Sequence, residues 1–402
     1  MIDLVPPLSK SDAQRALVLA DALGVENVIP SDEALPRDVE VLRDGLVALQ
    51  QPAAEIDCHD GGAPFRFLLT QAALRPGHVT RFTGTPRLGA RPHGPLLQSL
   101  SDSLHCTIEL SPGLWPLTVR ASPQALDVAC FSVTGAESSQ FASSLLLGAA
   151  RVAHQTGRGC EVVVEGALTS VGYLELTQAW VERAGFTVLR ENQRWRVGPR
   201  GAATPFPAVP GDWSSLTYLL PLAWKFGTTV SRVHLASGHP DERFAAHLDL
   251  VGLSLIPKAP SQFSVEGTLR DGLTVDSEQC PDSVPALAAL ACVLPGPSSF
   301  TRIGVLRHKE SDRVEGVCDF VRRIGAHVEL TADAFRITPS PARPAELELD
   351  ARDDHRMAMA ATVLSALTDV KLSLRGAGSV GKSFPGFWRE VEKLGLEVTK
   401  LP

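Results

Sequence analysis

A short polar loop followed by a helix of small and apolar residues recurs six times along this sequence. The starts are Ser9-Lys10-Ser11, Gly61-Gly62-Ala63, Glu137-Ser138-Ser139-Gln140, Gly211-Asp212-Trp213-Ser214, Cys280-Pro281-Asp282-Ser283 and Asp353-Asp354-His355-Arg356. Each offers a Ser or Asp side chain, or a permissive Gly, to the free N–H groups that open a helix. A second amphipathic segment trails each helix, at 39–49, 96–104, 174–184, 244–251, 314–324 and 387–394. Alternating strands follow, among them Thr187-Val188-Leu189, His327-Val328-Glu329-Leu330 and Glu397-Val398-Thr399. The spacing predicts six α/β units of roughly 65 residues. A unit of this kind buries one helix face and one sheet face, so six can pack as two domains of three. The length agrees, since 402 residues exceed what one ordinary core holds.

The chain carries 38 Lys and Arg against 45 Asp and Glu, a net charge of -7, which excludes a surface coated for nucleic acid. Positive charge can still gather locally. Apolar runs stop short of the ~18 residues that a spanning helix needs. The first residues, Ile2-Asp3-Leu4-Val5-Pro6-Pro7, hold an acid and two prolines instead of a secretory signal, so a soluble, cytoplasmic protein is expected. The seven cysteines are odd in number, scattered and without a Cys-x-x-Cys pair. They are expected to be small buried hydrophobes, with no disulfide framework and no metal site.

Gly376-Ala377-Gly378-Ser379-Val380-Gly381-Lys382-Ser383 fits both a P-loop and a dinucleotide fingerprint and follows an apparent strand at 370–374. About twenty residues remain after it, too few for the downstream unit that either fold requires, and Phe384-Pro385 interrupts the helix a P-loop would begin. A glycine-rich turn with one exposed Lys is the better expectation.

A denser signal is Leu306-Arg307-His308-Lys309-Glu310-Ser311-Asp312-Arg313 at the mouth of a predicted helix. Glu310 and Asp312 suit the positive end of that helix. Lys309 and Arg313, four apart, share a face and repel unless an anion or acid lies between them. Arg66, Arg87, Arg91, Arg356, and Lys10 with Arg15 also sit at or near the repeated helix starts, with Ser138, Ser139 and Gln140 as neutral donors at another. Cations at helix N-termini concentrate positive potential where a phosphate or carboxylate docks. Within such a site Asp282 and Glu310 are the candidate acid and base. No cofactor is expected.

In this order and spacing the motifs resemble the EPSP synthase family of enolpyruvyl transferases over nearly the whole chain. The matching elements are Ser9-Lys10-Ser11 through Arg15, Gly89-Ala90-Arg91-Pro92, Ser138-Ser139-Gln140, Gly211-Asp212 with Ser214-Ser215, Pro281-Asp282, 306–313, Asp354-His355-Arg356-Met357-Ala358-Met359 and Lys382-Ser383-Phe384-Pro385. The resemblance implies a two-domain α/β fold, an inside-out barrel of six βαβαββ repeats, three per domain, closing around the substrates. Residues 1–9 with 210–402 would form one domain and 10–209 the other. It further implies that Lys10, Ser11, Arg15, Ser138, Ser139, Gln140, Ser170, Asp282 and Lys309 hold shikimate 3-phosphate. Lys10, Gly62, Arg91, Gln140, Arg313, Arg356 and Lys382 would hold phosphoenolpyruvate. Asp282 would take or orient the hydroxyl proton, with Glu310 and Lys10 handling protons at the methylene and leaving phosphate. The implied partners are these two small molecules, with no nucleic acid and no membrane, and a monomer.

Two departures stand out. The family's Asn-Ala-Gly-Thr loop reads Asp60-Gly61-Gly62-Ala63, an acid that needs Arg66 or another cation as a partner. Val305 replaces an Asn that often contacts shikimate. The related UDP-N-acetylglucosamine enolpyruvyl transferases place a reactive Cys where this chain has Pro86. A transferase acting on another alcohol and a catalytically silent anion-binding homologue are the alternatives.

Overall fold

The six helices that open at the polar loops lie largely inside, and even Lys10–Leu23, with its Asp12, Gln14 and Arg15, buries most of its residues. They span Lys10–Leu23, Gly62–Ala73, Ser139–Thr156, Trp213–Phe226, Val284–Ala291 and His355–Thr368 in a computed structural model, which describes residues 2–26, 28–30, 34–112, 114–168, 170–201 and 205–402. In Gly62–Ala73 every residue but Ala63 is buried. The chain divides into two compact units, one of residues 1–9, 34–36 and 210–402, the other of 10–33 and 37–209. The first three helices touch one another within the second unit, and the last three do so within the first.

Small side chains let these helices approach closely. A Cβ on Gly148 would lie 2.8 Å from Thr70 Cγ2 and 3.0 Å from Leu74 Cδ1, so Ser139–Thr156 meets Gly62–Ala73 almost backbone to side chain. The same contact is tied by Thr70 and Ser144, whose hydroxyls are 2.5 Å apart, and by Ser144 Oγ donating to Arg66 O at 2.7 Å.

Four sheets repeat one order, in which the fourth strand of the unit lies between the second and third. In the 10–209 unit these are Ala53–Asp57, Val79–Thr83, Leu114–Arg120, Thr107–Ser111 and Cys130–Thr134, Cys160–Glu165, Arg194–Arg200, Phe186–Glu191. In the other unit they are Asp3–Leu4, Thr229–Val230, Gln262–Gly267, Leu253–Ala259 and Thr274–Asp276, Ser298–Thr301, Ala334–Thr338, His327–Leu330. In each the first pair is parallel and the rest antiparallel, the βαβαββ pattern. Strands such as Cys130–Thr134 and Ala334–Thr338 alternate buried residues with more exposed ones, as a sheet covered on one face requires.

The remaining two units are reduced. Glu346–Asp350, Lys371–Arg375 and Val398–Leu401 form a three-stranded, wholly parallel sheet. Lys10–Leu23 and Arg37–Ala48 bring no strand among the described residues. The apolar surface of Lys10–Leu23 is instead covered by the Gly62–Ala73, Ser139–Thr156 and Val171–Arg183 helices. Asp3 pairs with Thr229 in parallel, so the first strand of one sheet is separated in sequence from its neighbours by the whole 10–209 unit. At that junction Ser9 N donates to Pro210 O at 2.8 Å and Asp212 N to Pro7 O at 3.0 Å.

The trailing helices are Arg37–Ala48, Gly94–Leu104, Val171–Arg183, Arg243–Leu250, Arg313–Arg323 and Phe387–Lys393. They begin up to three residues before the apolar pattern where polar residues or Pro95 supply the first turn. Six cysteines are buried, but Cys130 is exposed. It lies on an edge strand with its side chain on the solvent face, where period-two alternation overrides its apolar character. Among the described residues no helix is long and apolar enough to cross a membrane.

Candidate active site

In the unit containing 210–402, the turns before three helices converge on Arg313. Asp312 caps the Arg313–Arg323 helix by accepting from Glu315 N at 3.1 Å, which places Arg313 at its first position with 1% of the residue exposed. The guanidinium then reaches three acids. Nη1 donates to Asp282 Oδ1 at 2.7 Å, Nη2 to Glu310 Oε2 at 2.9 Å and Nε to Asp354 Oδ2 at 2.9 Å. Lys309 Nζ lies 3.8 Å from Asp282 Oδ1, Arg356 Nη2 3.7 Å from Asp282 Oδ2 and Lys382 Nζ 3.6 Å from Glu310 Oε1. Four cations therefore surround three carboxylates.

The helix expected to carry both Lys309 and Arg313 begins only at Arg313, so the two do not share a helical face. The requirement for an acid between them is met by Asp282 from a distant loop. Ser283 is the N-cap of Val284–Ala291, which frees the Asp282 carboxylate from capping. Burial alone would push Asp282 up, but Lys309, Arg313 and Arg356 hold it well below the usual carboxylate range against opposition from Glu310. Burial would likewise depress Arg313, yet Asp354, Asp282 and Glu310 hold it well above its ordinary value. Asp354 has a second task, accepting from Arg356 N at 2.9 Å as N-cap of His355–Thr368.

The glycine-rich segment forms a short 3-10 turn, Ala377–Lys382, with Gly376 at φ +73°, and not the long helix of a P-loop. It delivers Lys382, 9% exposed and so not the exposed Lys expected, to Glu310.

In the 10–209 unit a second set gathers. Lys10 opens its helix and reaches Asp38 Oδ2 at 3.3 Å. Arg15, one turn on, donates to Ser11 O at 2.7 Å, Thr177 Oγ1 at 2.7 Å and Tyr173 O at 2.8 Å. None of these partners is an acid, and burial lowers the Arg15 guanidinium to about 10. Ser138 caps Ser139–Thr156 by accepting from Gln140 N at 3.3 Å. Ser139 is buried, while Gln140 is half-buried. Ser170 holds the left-handed region at φ +50° ahead of Val171–Arg183, a conformation a serine adopts only under constraint. A Cβ on Gly62 would come within 2.7 Å of Arg91 Cζ, so only glycine lets that guanidinium lie against the backbone. Arg87, by contrast, is exposed.

Arg66, expected as one of the helix-start cations and as a partner for an acid, is held by neutral groups. It is 1% exposed and donates to Gln140 Oε1 at 2.6 Å and Pro92 O at 2.6 Å. Burial, then Arg91, pushes it well below an ordinary guanidinium despite Glu137. Asp38 and Asp354 were passed over; only Asp354, beside His355-Arg356, stood in a motif that could have flagged it. The chemistry available is the grip of multiply charged anions by fixed guanidinium and ammonium groups, with the Asp282 carboxylate held ionised among them.

A family model for EPSP synthase (3-phosphoshikimate 1-carboxyvinyltransferase) matches residues 4–391. A 3-phosphoshikimate 1-carboxyvinyltransferase of Methanoculleus marisnigri is 34% identical, covering 97% of this chain and 96% of its own. One from Cupriavidus necator is 31% identical over 95% and 94%. Among solved structures, EPSP synthase of Acinetobacter baumannii superposes with a TM-score of 0.72 at 17% identity over 98% and 96%. The enolpyruvyl transferase NikO of Streptomyces tendae gives 0.67 at 14% identity over 99% and 95%.

Proposed function

This chain belongs to the EPSP synthase family, and we propose that it transfers the carboxyvinyl group of phosphoenolpyruvate to the 5-hydroxyl of shikimate 3-phosphate, releasing phosphate. The observation that carries the reading is the Arg313 fan, which ties Asp282 and Glu310 together beside three further cations and holds Asp282 ionised. Two phosphates and two carboxylates among the substrates call for such a surplus of fixed positive charge.

In the first step the hydroxyl oxygen bonds to the enol carbon and the methylene gains a proton. In the second, the bond from that carbon to the phosphate oxygen breaks and the methylene returns its proton, leaving the enol ether. Asp282, held far below neutrality, receives or orients the hydroxyl proton, which leaves with phosphate. Glu310, between Arg313 and Lys382, in its acid form lends the methylene a proton in the first step and takes it back in the second, and Lys10 relays the hydroxyl proton onto the departing phosphate, ending as it began. Lys10, Ser11, Arg15, Ser138, Ser139, Gln140, Ser170, Asp282 and Lys309 hold the shikimate phosphate in this reading. Lys10, Gly62, Arg91, Gln140, Arg313, Arg356 and Lys382 hold phosphoenolpyruvate. Fixed positions supply most of the acceleration, since the cations need no reorganisation as charge shifts. The same reading makes the protein a cytoplasmic monomer, which size-exclusion with light scattering checks.

The deciding experiment is release of inorganic phosphate from phosphoenolpyruvate with and without shikimate 3-phosphate. Release is expected only with both; none at millimolar substrates removes the reading, and release with a different alcohol reassigns the acceptor.

A further inference from the structure

Tyr218 lies on Trp213–Phe226, outside every set of residues assigned above, and is completely buried. Its hydroxyl donates to the main-chain O of Asp282 at 2.9 Å. Its ring lies under Arg356, with the guanidinium carbon 5.8 Å from the ring centroid. One side chain thus touches both members of the Asp282–Arg356 pair, whose charged atoms are 3.7 Å apart.

The Asp282 turn is held from the other side too. Ser283 Oγ donates to Asp241 Oδ1 at 2.9 Å, and Ser214, at the start of the same helix as Tyr218, donates to Asp241 Oδ2 at 2.6 Å. Asp282 is consequently pinned on its carbonyl by Tyr218 and through the next residue by Asp241. Neither restraint touches its carboxylate, which stays available to Lys309, Arg313 and Arg356.

Arg356 shows the matching arrangement. Its Nε and Nη1 have no hydrogen-bond partner among the described residues, although the residue is 1% exposed. The ring face beneath it therefore supplies an attraction that leaves those N–H groups for an incoming anion.

We propose that Tyr218 is a positioning residue for the transfer, its hydroxyl fixing Asp282 and its ring fixing Arg356. This rests on the proposed function, in which Asp282 handles the hydroxyl proton and Arg356 holds phosphoenolpyruvate. The two halves of the side chain separate cleanly. Tyr218→Phe removes the hydroxyl and keeps the ring, so kcat falls about tenfold while KM for both substrates stays within about twofold. Tyr218→Leu removes both, and KM for phosphoenolpyruvate rises about tenfold in addition.

A tyrosine that merely fills the core would not show this split. The second readout is a double-mutant cycle: in Asp282→Asn protein, Tyr218→Phe is expected to cause no further loss of kcat, because the group it positions is gone. Equal losses in the two backgrounds overturn the proposal, as does wild-type kcat in Tyr218→Phe. A crystal structure of Tyr218→Phe gives a readout independent of turnover. The Asp282 turn is expected to move away from Arg313, and an unchanged 2.7 Å contact overturns the inference. Wild-type protein that turns over no substrate defeats the proposed function alone, with the crystal structure still deciding the role of Tyr218.

Discussion

Replacing Asp282 by Asn, or Glu310 by Gln, keeps each side chain's shape and removes its ability to take a proton. Each change is expected to lower kcat by about a hundredfold or more, with KM little altered, in steady-state phosphate-release kinetics. Wild-type turnover in both variants would remove the proton-handling roles. A different residue contributes to acid sensitivity. His93 is buried with Nε2 2.8 Å from Leu88 O and Phe65 edge-on against its ring. Burial, then Arg66, pushes its imidazole down to about 3, against a backbone bond to Leu88 that raises it. An unfolded histidine titrates near about 6.5, so between those values the unfolded chain binds a proton that the folded one refuses. Stability contributed here is intact above about pH 6.5 and falls as pH drops, by at most about 1.4 kcal/mol per pH unit. Urea midpoints measured down that range should slope more steeply in wild type than in His93→Gln. At this scale the sequence showed which loops carry charge, because Ser, Asp and Gly mark helix starts. It could not show that Arg313 reaches Asp282, Glu310 and Asp354, since those contacts join loops up to 72 residues apart (Asp282 to Asp354) and follow from packing.

At the scale of elements, helix packing sets the tolerance to change. Gly148→Ala places a methyl against Thr70 and Leu74 where the closest approach is 2.8 Å. The variant should lose about 1–3 kcal/mol of stability by denaturant titration, despite alanine's better helix propensity. A stabilised variant would show that this crossing is looser than the geometry says. The six buried helices were legible because small and apolar residues dominate them, although Lys10–Leu23 buries Asp12, Gln14 and Arg15 as well. The strand-poor unit at Lys10 was not, because its repeat start is identical in kind to the others. Whether a sheet follows depends on which neighbours cover the helix, here Ser139–Thr156 and Val171–Arg183. Cys130 failed for a related reason, since strand alternation, not residue type, decided which way it faces.

At the scale of the molecule, strand Asp3–Leu4 completes a sheet otherwise built from residues beyond 228, and Val5 N donates to Glu390 Oε2 at 2.9 Å. Removing residues 1–8 should therefore strip protection from amide exchange in Leu253–Ala259 and Gln262–Gly267 while sparing Gly62–Ala73 and Ser139–Thr156. Uniform loss across both units would show that they unfold as one. Arg66, Arg91 and Arg356 each keep buried N–H groups with no partner among the described residues. Anions that satisfy these groups within either unit would bind the folded chain alone, each adding about 2.7 kcal/mol at a hundred times its Kd. Such a protein is most vulnerable to proteolysis when idle, so its lifetime in the cell would rise and fall with the supply of the metabolites it consumes.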